Sequence, residues 1–198
     1  MKLLGPDRFD LTFDARDFQI ASTSGETRFS GRSAGRTPKL YVMSAKGRPF
    51  YVGVTTQPMR TRLRLGFTAD GSSGYHGYKW RHVLRRAALE IWYHPGPESD
   101  TAIRDLETIE AETVFLLRSR LNQWPQYQTE IHFYRSTPSH RRAAAAVLRH
   151  FGQPPNKRLK LRGALVGGIA LPRRLAFLSA APTPYAGGQR ARSLSAIR

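Results

Sequence analysis

The stretch KLYVMSAKGRPFYVGVTTQPMRTRL, Lys39 to Leu63, constrains the fold most, because it sets two strand-forming runs, LYVM and PFYVGV, a hairpin's distance apart. The intervening SAKGR is a loop of hairpin length, and Gly47 is available for the positive φ such a turn needs. With the usual antiparallel register, Tyr41 and Tyr51 face a common side. Phenols so placed can bind phosphate oxygens or orient a water, although tyrosine is also an ordinary packing residue of strands.

Beyond the hairpin, Pro58 sits where a first helical turn can begin, and Met59, Leu63 and interleaved arginines continue at helical spacing. FTADGSSGYHGY is loop-like and studded with aromatics, KWRHVLRRAA has a helical pattern, and LEIWYH alternates as a strand closed by the turn residues PGPESD. The spacing predicts a long helix from about Thr101 to Leu121, capped by Ser99 or Asp100, with Ile103, Leu106, Val114, Leu117 and Leu121 on one face. TEIHFY is a further strand candidate. SHRRAAAAVLRHFG is an Ala-rich helix capped by Ser136, Thr137 or Ser139. The expected fold is α+β: a small central three-stranded antiparallel sheet flanked by helices. Residues 1–36 are expected to form an N-terminal arm or linker with a strand or two, 37–135 the folded domain, 136–152 a C-terminal helix, and 153–198 a basic, disordered tail.

One residue on the long apolar stripe does not belong there: Glu110. A carboxylate in such a place must be paired, hydrated in a cleft or bound to a cation. A partly exposed position at the edge of the stripe, or a salt bridge to an arginine, would satisfy it equally well.

Charge narrows the partner. The 198 residues carry 32 Lys+Arg against 14 Asp+Glu, a formal net charge of +18, which points to a polyanion, most simply nucleic acid, with an anionic membrane surface as a fit on charge alone. Residues 151–198 hold nine Lys/Arg and no acid, so 23 Lys/Arg still face 14 acids in residues 1–150. With no cysteine, disulfides, thiolate metal ligands and a cysteine nucleophile are excluded. MKLLGPDRFD breaks its apolar run at Pro6 and Asp7, and no 18-residue apolar run follows, so a soluble cytoplasmic protein without a membrane partner is expected.

Leu40-Tyr41-Val42, then Tyr51-Val52-Gly53, then a Thr-Thr-Gln-Pro-Met run into Arg62-Leu63, and later a helix with a glutamate, resemble the GIY-YIG nuclease family in order and spacing. The resemblance covers roughly Lys39 to Phe133. It implies a DNA endonuclease that hydrolyses phosphodiester bonds with one divalent cation, Mg²⁺ or Mn²⁺. On that resemblance Tyr41 and Tyr51 position or deprotonate the attacking water and Gly53 allows close backbone approach. Arg62 holds the scissile phosphate, with Arg60 as a neighbouring substrate contact, and Glu110 is the metal ligand. Magnesium keeps several waters and needs few protein carboxylates, which suits a lone glutamate.

The sequence departs from the family pattern in two places. Lys39 stands where the name's first glycine would be. Gly66 or Phe67 falls where family members carry a His or Tyr after the arginine. The substitute is expected in the run around Tyr75, His76 and Tyr78, with His76 first as a general acid or base and the two tyrosines as substrate contacts. His76 reads equally as a solvent-exposed loop residue. Asn122 matches a family phosphate contact or serves as a helix C-cap. Gln128, Glu130 and His132 are candidate substrate or supporting contacts, and Glu130 and His132 form a structural pair on the alternative reading. His82, His94, His140 and His150 have no partner at ligand spacing. A non-catalytic or weakly active DNA-binding module on the same scaffold is the alternative function, and a basic interaction protein with a purely structural hairpin is a third.

Overall fold

The computed structural model describes residues 1–72, 74–122, 124–129 and 131–151, with Leu121 described by its backbone alone. The expected tail, 153–198, and Glu130 therefore lie outside the described residues.

The strands are β1 (Leu4–Phe13), β2 (Phe18–Ser22), β3 (Lys39–Ala45), β4 (Arg48–Thr55) and β5 (Arg86–Tyr93). The helices are α1 (Gly31–Ala34), α2 (Met59–Thr68), α3 (Asp100–Leu121) and α4 (Pro138–Arg149), with a 3-10 turn at Lys79–His82. The class is α+β, but the sheet has five strands rather than three, in the order β2-β1-β5-β3-β4, and every pairing is antiparallel. The two extra strands come from the segment read as an N-terminal arm. Phe9, Leu11 and Phe13 alternate inward on β1, and pairing Phe9 with Leu89 and Leu11 with Ala87 closes the edge of β5 that β3 leaves free. This pairing also explains why KWRHVLRRAA is no helix: from Arg86 onward its backbone belongs to β1 and β3, and only the 3-10 turn keeps helical bonding. The described residues of TEIHFY form no strand.

The hairpin turn is tighter than expected. Ala45 pairs with Arg48, and the two turn residues Lys46 and Gly47 have φ of 51° and 73°. Such a two-residue turn matches the right-handed strand twist. A bulge follows, because Met43 faces Tyr51 while Ser44 faces Pro49, leaving Phe50 as the extra residue. Phe50 and Tyr51, although adjacent, therefore both join the same core.

Two cores sandwich the sheet. On one face Phe9, Leu11, Tyr41, Met43, Leu89 and Ile91 pack with Met59, Leu63 and Phe67 of α2. On the other, Leu40, Val42, Val52 and Trp92 pack with α3 and α4. Helix α3 starts where expected, with Ser99 Oγ accepting from Ala102 N at 3.1 Å. Helix α4 starts at a capping box between Thr137 and His140. Among the described residues no helix is long and apolar enough to cross a membrane.

Candidate active site

The hairpin register decides which side chains meet. Tyr41 lies opposite Gly53 and Tyr51 opposite Met43, so the two phenols are diagonal neighbours on one face, with ring centroids 5.9 Å apart. Gly53 is required there, because a Cβ would stand 2.6 Å from Tyr41 Cζ and 2.7 Å from its Oη. Helix α2 brings Arg62 over the same spot, and its Nε donates to Tyr41 Oη at 3.2 Å. The expected grouping of Tyr41, Tyr51, Gly53 and Arg62 is thus one cluster.

The loop after α2 supplies a fifth member. Tyr78 Oη is 3.1 Å from Tyr41 Oη, and the Tyr78 ring stacks on Trp80 with centroids 4.8 Å apart. Gly66 makes this possible, since a Cβ on it would fall 2.0 Å from Tyr78 Cε2. The Tyr78 ring therefore fills the space that a side chain at position 66 would claim. Tyr78 N bonds Gly66 O, and Arg81 reaches Gly66 O and Ala69 O at 2.6 and 2.7 Å, fixing the loop on the C-terminal end of α2. Tyr75 lies under the Arg62 guanidinium, 5.5 Å from its Cζ. His76, expected first, stays exposed and rests against Gly71 instead.

Electrostatics define what these groups can do. Burial pushes the Tyr51 hydroxyl well above the ordinary phenol value; Tyr41 and the Glu110 carboxylate add to this, while Arg62 opposes it. Burial likewise pushes Tyr78 well up, with Tyr41 adding and Arg62 opposing. Both remain protonated at neutral pH, so they can donate hydrogen bonds but cannot serve as bases there. Burial works against the charge of Arg62, but the phenols Tyr41, Tyr78 and Tyr51 more than offset it, so the guanidinium stays charged. Among the described residues no carboxylate makes a salt bridge to Arg62. An anion can therefore take that role.

Glu110 reaches the cluster around the edge of the sheet. It is buried on α3, at 7% exposure, and Gln128 Nε2 lies 3.3 Å from its Oε1. Gln128 in turn accepts from Val52 N on the free edge of β4 at 3.0 Å, and Tyr127 N bonds Phe50 O beside it at 3.0 Å. Segment 127–128 thus covers the edge strand and ties the helix carboxylate to the hairpin. Gln128, a candidate contact in the sequence, thus lies between Glu110 and the hairpin.

Other expected residues lie elsewhere. Arg60 stands over Phe18, 5.9 Å from the ring centroid and outside the cluster. Asn122 is the left-handed C-cap of α3, at φ 54° and ψ 23°. His132 Nδ1 is 3.5 Å from Glu107 Oε1. Contrary to the expectation of no partners, His94 and His140 share Asp105. His94 Nε2 is 3.4 Å from Oδ2 and His140 Nε2 is 3.1 Å from Oδ1. Each Nδ1 accepts a backbone N–H, from Gly96 at 3.0 Å and Thr137 at 3.3 Å, so each Nε2 carries the proton donated to Asp105. This clamp joins β5, α3 and α4. Lys39, which sequence reasoning passed over as a missing glycine, is fully buried, and its ammonium donates to Gly35 O and Gln57 O at 2.9 Å each.

Comparison of the chain with protein-family models, with curated proteins and with solved structures gives no match.

Proposed function

We propose that this protein is a metal-dependent DNA endonuclease of the GIY-YIG type. The observation that carries the proposal is the meeting of a half-buried guanidinium, Arg62, with no carboxylate partner among the described residues, with three phenols, while the Glu110 carboxylate is tied to the same hairpin through Gln128. Phosphoryl transfer needs charge stabilisation and positioning more than covalent help, and this set supplies both.

Arg62 spends Nε on Tyr41, and its other guanidinium donors hold the non-bridging oxygens of the scissile phosphate. Tyr51 and Tyr41 orient the attacking water, and Tyr78 fixes Tyr41 through its hydroxyl. Water adds to phosphorus, one bridging P–O bond breaks, and the departing oxygen takes a proton, leaving a phosphomonoester and a hydroxyl end. Glu110 would hold Mg²⁺ or Mn²⁺, which when bound supplies Lewis-acid stabilisation of the developing charge. The residues suit a hard, water-rich ion. Glu110 is a buried carboxylate, a hard oxygen donor, and water and phosphate would complete the coordination of such an ion.

The test is nicking or linearisation of supercoiled plasmid with Mg²⁺ or Mn²⁺, beside EDTA, Glu110→Gln and Arg62→Ala. Cleavage by the wild type that each control abolishes is the expected outcome. Cleavage that persists in Glu110→Gln removes the carboxylate's metal role, and DNA binding without cleavage under any condition leaves only a binding module.

A further inference from the structure

We propose that the groove between the hairpin turn and segment 124–127 is a nucleobase-binding subsite, so that the substrate presents an unpaired base next to the phosphate that is cut. The inference rests on the nuclease reading for its orientation, and on its own geometry for the binding.

The groove has a volume of about 210 Å³ and is lined chiefly by Arg48, Phe50, Leu84, Trp124, Gln126 and Tyr127. It is too small for a drug-sized ligand, whose clefts begin at roughly 300 Å³, but it suits one planar ring. Trp124 stands at its rim, 45% exposed, with Arg118 of α3 4.8 Å above its ring centroid. The guanidinium holds the indole by a cation–π contact, so the aromatic platform exists before a ligand arrives. Exposing a tryptophan to water is costly unless something covers it, and here the cover must be compatible with positive charge.

Charge complementarity identifies the occupant. Arg48 lines the groove and Lys46 lies beside it in the turn, both exposed, and among the described residues neither has a carboxylate partner. An aromatic face flanked by unpaired cations is the pattern that takes a base together with its backbone phosphate.

Continuity with the cluster fixes the register. Tyr127 lines this groove and also a hollow of about 30 Å³ shared with Tyr51, Tyr75 and Tyr78. Its backbone is pinned to the bulge at Phe50, so the two pockets keep a constant separation. A strand that seats its phosphate on Arg62 thus places a neighbouring nucleotide at Tyr127 and Trp124. In duplex DNA both faces of a base are stacked, and only a single-stranded or unpaired nucleotide can enter.

Intrinsic fluorescence tests this directly, because Trp80 and Trp92 are buried at 1% and 3% exposure and Trp124 is the exposed indole. The full chain, in EDTA to prevent cleavage, is titrated with a short oligothymidylate and with a blunt duplex of equal length. Saturable quenching by the single strand, weaker quenching by the duplex, and loss of the signal in Trp124→Phe are expected. Trp124→Ala should weaken single-strand binding by about tenfold or more, as loss of one base stack does, and duplex binding less than twofold. Trp124→Phe keeps a ring and should retain most of the affinity, which separates stacking from misfolding. No quenching by the single strand, or equal weakening toward both DNAs, overturns the subsite. Plasmid cleavage without any Trp124 signal defeats the subsite alone; Trp124 quenching without metal-dependent cleavage defeats the nuclease reading alone.

Discussion

Replacing Gly53 by alanine is the sharpest perturbation of the site, because the space beneath Tyr41 can be measured. The added Cβ would lie 2.6, 2.7 and 2.9 Å from Tyr41 Cζ, Oη and Cε1, whereas ordinary contact begins at 3.4 Å. The ring must therefore retreat by about 0.8 Å. Tyr41 is fully buried, and its hydroxyl is held at 3.2 Å by Arg62 and at 3.1 Å by Tyr78, so a retreat of that size stretches both bonds. Overpacking costs about 1–3 kcal/mol, and losing a hydrogen bond to a charged group adds about 1.5–3 kcal/mol. A destabilisation of about 3 kcal/mol follows, or a fall in Tm of roughly 6–12 °C for a chain of this size. Gly53 does not have a positive φ, so alanine's backbone preference is no obstacle and by itself is worth a gain of roughly 0.5–1 kcal/mol. The decisive assay is a double-mutant cycle by urea unfolding. In a Tyr41→Leu background the three crowded atoms are gone, and Gly53→Ala should become neutral or stabilising. The same cost in both backgrounds would refute the packing argument. Plasmid cleavage should fall by about 100-fold, as misplacement by about 1 Å does.

Three further outcomes are expected. Tyr78→Phe removes the hydroxyl that braces Tyr41 and should slow plasmid cleavage about tenfold, while His76→Ala, exposed and outside the cluster, should change it less than twofold; the reverse order would restore His76 to the site. Burial lowers the Lys39 ammonium to about 8 from 10.5, so between these values the unfolded chain holds a proton that the folded chain has shed. Stability should therefore rise with pH across that window by at most about 3 kcal/mol, and the unfolding free-energy difference between wild type and Lys39→Met should grow from pH 8 to 10.5; a flat difference would show that burial does not shift the group. Asp105→Ala leaves the Nε2 protons of His94 and His140 without their acceptor and should cost about 1–3 kcal/mol in denaturant unfolding. If the cost is no greater in the wild type than in a His94→Ala/His140→Ala background, the clamp contributes nothing.

The features legible in the sequence were those encoded within one element or one turn. The hairpin followed from LYVM, PFYVGV and a loop bearing Gly47, although the turn itself is only two residues long, and α3 from an apolar stripe that also exposed Glu110 as misplaced. The departures arose where partners are distant. Trp80, Val83 and Leu84 have helical spacing, yet the segment leading from them turns into β5 because Thr12 and Phe9, some 75 residues earlier, pair with Arg86 and Leu89. Likewise, the sequence could not say which side chain of the 75–78 loop would reach Tyr41. Gly66 decided that, by leaving room for the Tyr78 ring.

Periodicity, turn chemistry and charge are local properties, and they encode a basic α+β chain with a tyrosine-bearing hairpin, an arginine helix and a carboxylate on an apolar stripe. Long-range packing adds that β1 completes the sheet, that Tyr78 rather than His76 braces Tyr41, and that Gln128 links Glu110 to the edge of β4. Those contacts join residues from 18 (Gln128 with Glu110) to 89 (Tyr93 with Leu4) positions apart, and they depend on volume left by glycines and on free sheet edges, to which no local pattern is sensitive.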